Sequence, residues 1–171
     1  VAKRVVGATV IATTSSPEKA RKARDLGADE VIDYTQEDIA ERVKELTGGA
    51  DVVYDSVGKD TIAGSLKCLK ARGMLSNNGN ASGPIGALDP LDLAEAGSVF
   101  FTRPHLASYI ATPEERNQRA DDLHRLYREG KLTVTIDREL PLSMAKAAHD
   151  VIEERQSKGK ILLKTRNGPS K

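Results

Sequence analysis

Gly7-Ala8-Thr9-Val10-Ile11-Ala12-Thr13-Thr14-Ser15-Ser16-Pro17-Glu18-Lys19 reads as a buried strand that ends in small hydroxyl residues and turns into a helix. The β-branched run over residues 9–13 favours extended backbone. Ser16 suits the helix N-cap, and Pro17 suits the first helical position, where a missing N–H costs nothing. The helix then carries Lys19 and Lys22 one turn apart and stops at Gly27. A strand feeding a helix through so short a turn is the unit of a parallel α/β fold.

The same alternation continues outward. Residues 30–34 (Glu-Val-Ile-Asp-Tyr) form a second short strand, and residues 35–38 resemble a capping box before an apolar stripe at Ile39, Val43 and Leu46 that ends at Gly48-Gly49. Residues 51–55 give a third strand, broken at Ser56-Val57-Gly58. A helix follows with Ile62, Leu66 and Leu69 on one face and Cys68 within it. Residues 73–76 give a fourth strand running into the polar Asn77-Asn78-Gly79-Asn80-Ala81-Ser82-Gly83. A short helix is expected over 90–95 and a further strand over 98–102. A long amphipathic helix over 113–129 turns Leu123, Leu126 and Tyr127 inward, and residues 131–136 alternate like a strand. A last helix covers 143–155, a closing strand 160–164 and a frayed tail 167–171. Strands and helices at this spacing predict a doubly wound parallel sheet with right-handed crossovers.

Composition narrows the class. The 171 residues include 26 basic and 25 acidic side chains, so a net charge of +1 gives no electrostatic case for nucleic acid or an anionic membrane. Hydrophobic content of 39% with 4% aromatics suits a core of Val, Ile, Leu and Ala. No apolar run approaches the roughly 20 residues of a membrane span. One cysteine excludes an internal disulfide and a Cys-rich zinc site, and it points to a cytoplasmic setting. Val1-Ala2-Lys3-Arg4-Val5-Val6-Gly7 reads as the last turns of a helix, so the chain is expected to be a piece of a longer protein.

In open parallel sheets a ligand lies outside the carboxyl ends of the strands. Those ends are Thr14-Ser15-Ser16, Tyr34, Ser56-Val57-Gly58, Asn78-Gly79-Asn80-Ala81 and Thr102-Arg103, nearly all small, polar or aromatic. An acidic residue after the second strand of a dinucleotide fold would bond the ribose hydroxyls of NAD. Here Thr14, Ser15 and Ser16 are neutral, and Lys19 and Lys22 follow within two helical turns, an arrangement that accommodates a 2′-phosphate at a helix N-terminus. No G-x-G-x-x-G precedes that strand, so the reading is a dinucleotide fold without its first strand and pyrophosphate loop. His105, His124 and His149 lack metal-ligand spacing. Cys68 reads as a packed thiol, and Asp33 and Asp55 as holders of local turns.

Val53-Tyr54-Asp55-Ser56-Val57-Gly58-Lys59-Asp60-Thr61, Gly79-Asn80-Ala81-Ser82-Gly83-Pro84, Phe101-Thr102-Arg103-Pro104 and Tyr109-Ile110 resemble the zinc-free NADPH:quinone reductases. These are the zeta-crystallin-type branch of the medium-chain dehydrogenases/reductases. The resemblance implies an NADP-binding Rossmann-type domain over residues 1–130, incomplete at its N-terminus, and a segment 131–171 that completes a catalytic domain. It implies that Ser15 and Lys19 meet the 2′-phosphate of NADPH, that Tyr34 flanks the adenosine, and that Ser56 and Gly58 line the ribose side. Asn78, Gly79, Asn80 and Ala81 would line the route to the nicotinamide. Arg103, His105 and Leu106 would bond its carboxamide, and Arg155 would reach the cofactor. The family usually has Phe at the position of Asn78.

In that family a hydride passes directly from the nicotinamide to a quinone without a metal, and positioning does most of the catalysis. No residue of this chain is expected to act as a catalytic acid, and the piece alone is expected to be inactive. The resemblance also implies a homodimer through the edge strand Val99-Phe100-Phe101-Thr102, which would be an association hazard if left unpaired. Two other functions fit the same residues: a related NADPH-dependent enoyl or alkenal reductase, and a non-catalytic dimerisation or RNA-binding module.

Overall fold

The computed structural model describes residues 1–154 and 156–165. Arg155 and the tail expected over 167–171 lie outside the described residues. The chain divides into two compact units, Ala2–Asp122 and the part from Leu123 onward.

In the first unit a π-helical turn, Ala2–Val6, leads into β1 (Ile11–Thr14), α1 (Pro17–Asp25), β2 (Glu30–Asp33) and α2 (Ile39–Thr47). Ser16, Pro17 and Gly48 act at these boundaries as expected. Ser16 Oγ accepts the Lys19 N–H at 3.3 Å with Pro17 in the first turn. Gly48 ends α2 in the left-handed conformation at φ 71°. The cap of α2 is Asp38, whose carboxylate accepts the Glu41 N–H at 2.9 Å, rather than the box expected at Thr35. Thr35 is instead held in the turn after β2, where Asp33 accepts both its N–H and its hydroxyl.

β3 (Ala50–Asp55), α3 (Ile62–Lys67), β4 (Leu69–Asn77), α4 (Pro90–Glu95), β5 (Phe100–Thr102) and α5 (Leu106–Tyr109) follow. β1 pairs with β2, and β3-β4-β5 form a second sheet with β4 in the centre; every pairing is parallel. The fold is thus the parallel, Rossmann-type α/β class expected from the sequence. Apolar side chains gather in two clusters. Ala40 and Val43 of α2 bury with Ile32 and Cys68, whereas Leu66, Leu69, Leu75 and Val99 bury around β4. Val53 packs against both.

Two expectations about α3 and β4 change. Leu69 does not lie on the helix: α3 ends at Lys67, Cys68 caps it, and Leu69 opens β4 opposite Ala50. The register then jumps, with Val52 opposite Met74, and the extra residues of β4 turn through Arg72 at φ 62°. A local polar stretch, Lys70-Ala71-Arg72, masked this strand because its backbone is held from elsewhere: the Arg72 N–H bonds the Gly97 carbonyl at 2.8 Å. The four-residue helix α5 carries no periodicity that a sequence could reveal.

The helix α6 (Pro113–Arg128) appears where expected, but only Leu126 of its stripe is buried; Leu123 and Tyr127 are more than half exposed. An apolar stripe buries only where another surface meets it, and the described residues cover this one at Leu126 alone. In the second unit β6 is Ile136–Pro141, not residues 131–136. Alternation alone fits either register, and pairing decides: β6 runs parallel to β7 (Lys160–Lys164) with Ile136 opposite Lys160. A 3-10 turn, Leu142–Met144, and α7 (Ala145–Glu153) form the crossover, and α7 buries Ala148. Gly159 is obligatory there, since a Cβ would stand 2.5 Å from the Thr135 carbonyl oxygen.

Candidate functional site

The parallel register brings strand ends level: Thr14 lies opposite Asp33, Asp55 opposite Asn77, and Ser76 opposite Thr102. The expected site residues of the first unit follow these ends. Ser15 is exposed beyond β1 and Lys19 sits in the first turns of α1; Tyr34 follows β2, half exposed. Tyr34 and Ser56 line one cavity, and Asn78, Arg103, His105 and Leu106 line another of about 450 Å³ with Pro104 and Tyr109. Ser15 and Lys19 line neither. Arg155 lies outside the described residues.

Ser56–Gly58 and the segment after β4 are knitted together. The Ala81 and Ser82 N–H groups bond the Ser56 and Val57 carbonyls, and the Lys59 N–H bonds the Gly83 carbonyl. Ser82 Oγ donates to the Val57 carbonyl and accepts the Asp60 N–H. The approach is so close that only glycine fits. A Cβ on Gly79 would lie 2.2 Å from the Ser56 carbonyl oxygen, and one on Gly58 would lie 2.7 Å from that of Gly83. Gly58 also holds φ +93°, which L side chains rarely adopt.

Asp55 pins this seam from below. Its buried carboxylate accepts the Val57 and Gly58 N–H groups at 2.8 and 3.0 Å, and the hydroxyls of Thr61 and Ser65 at 2.8 Å. Burial pushes its pKa up, but donation from Gly58, Ser65, Thr61 and Val57 outweighs that and holds it below the usual carboxylate range. It is an ionised turn-holder, as the sequence suggested.

Asn77 went unremarked in the sequence, which offered only its neighbour Asn78. It is 1% exposed and donates to the Asp55 and Gly79 carbonyls, while the Arg103 guanidinium donates to its own carbonyl at 2.9 Å. Arg103 thereby ties β5 to the end of β4. The Asn77 Oδ1 and Thr14 Oγ1 atoms are buried with no hydrogen-bond partner among the described residues. A backbone-lined seam with spare polar atoms at the strand ends is the chemistry of a polar, phosphate-bearing ligand site.

A sequence model described as zinc-binding dehydrogenase matches residues 26–163, most of the chain. The chain belongs to the zinc-binding dehydrogenase family. The quinone oxidoreductase of Pseudomonas aeruginosa is 45% identical over 162 residues, which are 94% of this chain and 50% of that protein. The 2-haloacrylate reductase of a Burkholderia species is 44% identical, over 94% of this chain and 49% of that one. Among solved structures, the Escherichia coli quinone oxidoreductase complexed with NADPH superposes with a TM-score of 0.89 at 39% identity, over 94% of this chain and 51% of that chain. The chain therefore spans about half the length of the curated relatives it matches.

Among the described residues no three His, Cys, Asp or Glu side chains gather to hold an ion. Cys68 is 3% exposed, and burial pushes its thiol up, away from the thiolate that binds zinc.

Proposed function

We propose that this chain is the nucleotide-binding part of a metal-independent NADPH:quinone oxidoreductase that acts in the cytoplasm as a homodimer. One observation carries the reading: the ends of β3 and β4 meet in a glycine seam that excludes side chains, and buried Asn77 at the end of β4 keeps an unused polar atom. A dinucleotide needs such a close backbone approach. The neutral Thr14-Ser15-Ser16 end, capping the helix that bears Lys19, suits a ribose carrying a 2′-phosphate better than one with free hydroxyls. NADPH, when bound, supplies the hydride.

Within this assignment residues 1–130 are the NADP-binding domain and 131–171 complete a catalytic domain. Ser15 and Lys19 hold the 2′-phosphate, Tyr34 flanks the adenosine, and Ser56 and Gly58 meet the ribose. Asn78, Gly79, Asn80 and Ala81 border the nicotinamide, with Arg103, His105 and Leu106 at its carboxamide and Arg155 reaching the cofactor. These groups bind and orient; none moves a proton. The dimer forms through β5, whose Phe100 is 60% exposed on an open sheet edge.

Fluorescence titration with NADPH and NADH tests the proposal. Weak binding that favours NADPH by about tenfold or more is expected, since a charge-assisted contact contributes roughly 1.5–3 kcal/mol, and Lys19→Ala should remove the preference. Equal affinities, or binding of neither, would overturn it. This piece alone should show no quinone turnover. A second reading, reduction of a polarised C=C bond, draws on the 44% identity to a 2-haloacrylate reductase. Assaying a longer protein that includes this chain with a quinone and with 2-chloroacrylate separates the two.

A further inference from the structure

Asn77 ranks with Ile32 and Leu75 among the largest fully buried side chains, although it carries a carboxamide. It lines neither cavity, so it is placed to act through other residues.

Its hydrogen bonds reach three pieces of backbone. Nδ2 donates to the Asp55 carbonyl at 3.3 Å, at the end of β3, and to the Gly79 carbonyl at 3.1 Å, two residues further along its own chain. Its own carbonyl accepts from Arg103 Nη1 at 2.9 Å, beyond the end of β5. With two carbonyls on one side, only the NH2 end of the amide can face them. Oδ1 is therefore left buried without a partner among the described residues. A buried acceptor with no partner lowers stability, so an apolar side chain of similar size would serve the core better. What the amide alone supplies is the pair of donated bonds.

Those bonds support one side of the site. Asn78, next in the chain, and Arg103, whose guanidinium rests on the Asn77 carbonyl, both line the cavity of about 450 Å³. The facing bank, residues 56–58, has a different anchor, since the Asp55 carboxylate holds the Val57 and Gly58 N–H groups. Loss of the Asn77 amide would loosen Gly79, Asn78 and Arg103 while Val57 and Gly58 stay pinned.

We infer that Asn77 is a positioning residue for the nicotinamide half of NADPH. It fixes the turn over residues 77–79 and seats the Arg103 guanidinium, so that the cavity wall is set before the ring arrives. It does nothing for the adenosine half, which meets the end of β1 and the bank held by Asp55. The inference rests on the NADPH reading above.

The test titrates the 171-residue chain and Asn77→Leu with NADPH and with 2′,5′-ADP, which lacks the nicotinamide half. Wild type should bind NADPH more tightly than 2′,5′-ADP. Asn77→Leu should weaken NADPH about tenfold or more, as loss of a buried hydrogen bond would, and leave 2′,5′-ADP within about twofold. A merely structural role would weaken both ligands alike; that result, or an unchanged NADPH affinity, would overturn the inference while leaving the nucleotide assignment standing. Binding of neither ligand by wild type would remove that assignment and the inference with it. NMR of wild type gives an answer even if the variant does not fold. The Asn77 side-chain amide signals should shift on addition of NADPH and stay in place with 2′,5′-ADP. A shift with 2′,5′-ADP, or none with NADPH, would overturn the inference.

Discussion

The two parallel sheets of the first unit are built from the same kind of sequence yet differ in finish. In the three-stranded sheet β4 has neighbours on both sides: Leu75 is 0% exposed, Asn77 1%, and the strand ends are locked by Asp55, the glycine seam and Arg103. In the two-stranded sheet Ile32 is equally buried at 1%, but only on the face under α2. The end of β1 has its helix cap and little else, with Ser15 exposed and Thr14 Oγ1 unused. A strand flanked on both sides can carry a rigid site, because its backbone is fully spent and its ends inherit that order. A strand pair with an open edge can specify a ligand but not clamp it.

The sharpest way to break this contrast is to pry open the seam. Gly79→Ala places a methyl 2.2 Å from the Ser56 carbonyl. The clash is with backbone rather than a flexible tip, so a loss of more than about 3 kcal/mol is expected by denaturant unfolding, with NADPH binding abolished. Gly86→Ala, where no atom lies within 4 Å, is a control for space but not for backbone, since Gly86 also holds φ +72°; it should cost about 1 kcal/mol.

Leu75→Ala should cost about 3–4 kcal/mol, as for a fully buried leucine. If Ile32→Ala costs the same, the two sheets are equally well packed and the contrast resides in their ends alone.

Asp55→Asn comes next, at about 2 kcal/mol, from weaker bonds to Val57, Gly58, Thr61 and Ser65. Its pH dependence has a definite sign. The folded pKa lies below the unfolded one, so the contribution is present above the unfolded value of about 3.9. It fades as pH falls through the folded value. Wild type and Asp55→Asn should therefore converge in stability below about pH 4; a constant gap down to pH 2 would mean that charge is irrelevant to the seam.

The smallest effect belongs to the other sheet. Ser16→Ala removes the cap on Lys19 and should cost about 1 kcal/mol, measurable as a Tm shift, while leaving the β3–β4 seam intact by amide exchange.

Much of this was legible because it rests on local chemistry. Ser16-Pro17 starts α1 and Gly48 stops α2; each signal acts within one turn of itself. The strand ends that carry Ser56, Gly58, Asn78 and Gly79 were legible for the same reason, as small polar punctuation after β-branched runs. What escaped depended on distant partners. Leu69 reads as helix until Ala50 pairs with it, Leu123 and Tyr127 read as buried until no described residue covers them, and β6 slides to the register that β7 dictates. Asn77 shows no distinguishing mark beside Asn78, yet its burial and its bonds to Asp55 and Gly79 make it part of the seam's frame.

By itself, the sequence determined the alternation of strands and helices, the parallel class, the cap of α1 and the neutral end of β1, since propensity, periodicity and capping act over a few residues. Tertiary structure alone decided which strands share a sheet, that Gly58 and Gly79 are in contact with facing backbone, and that β1 and β3 line one cavity. Those outcomes depend on groups far apart in the sequence, and only the closed chain brings them together.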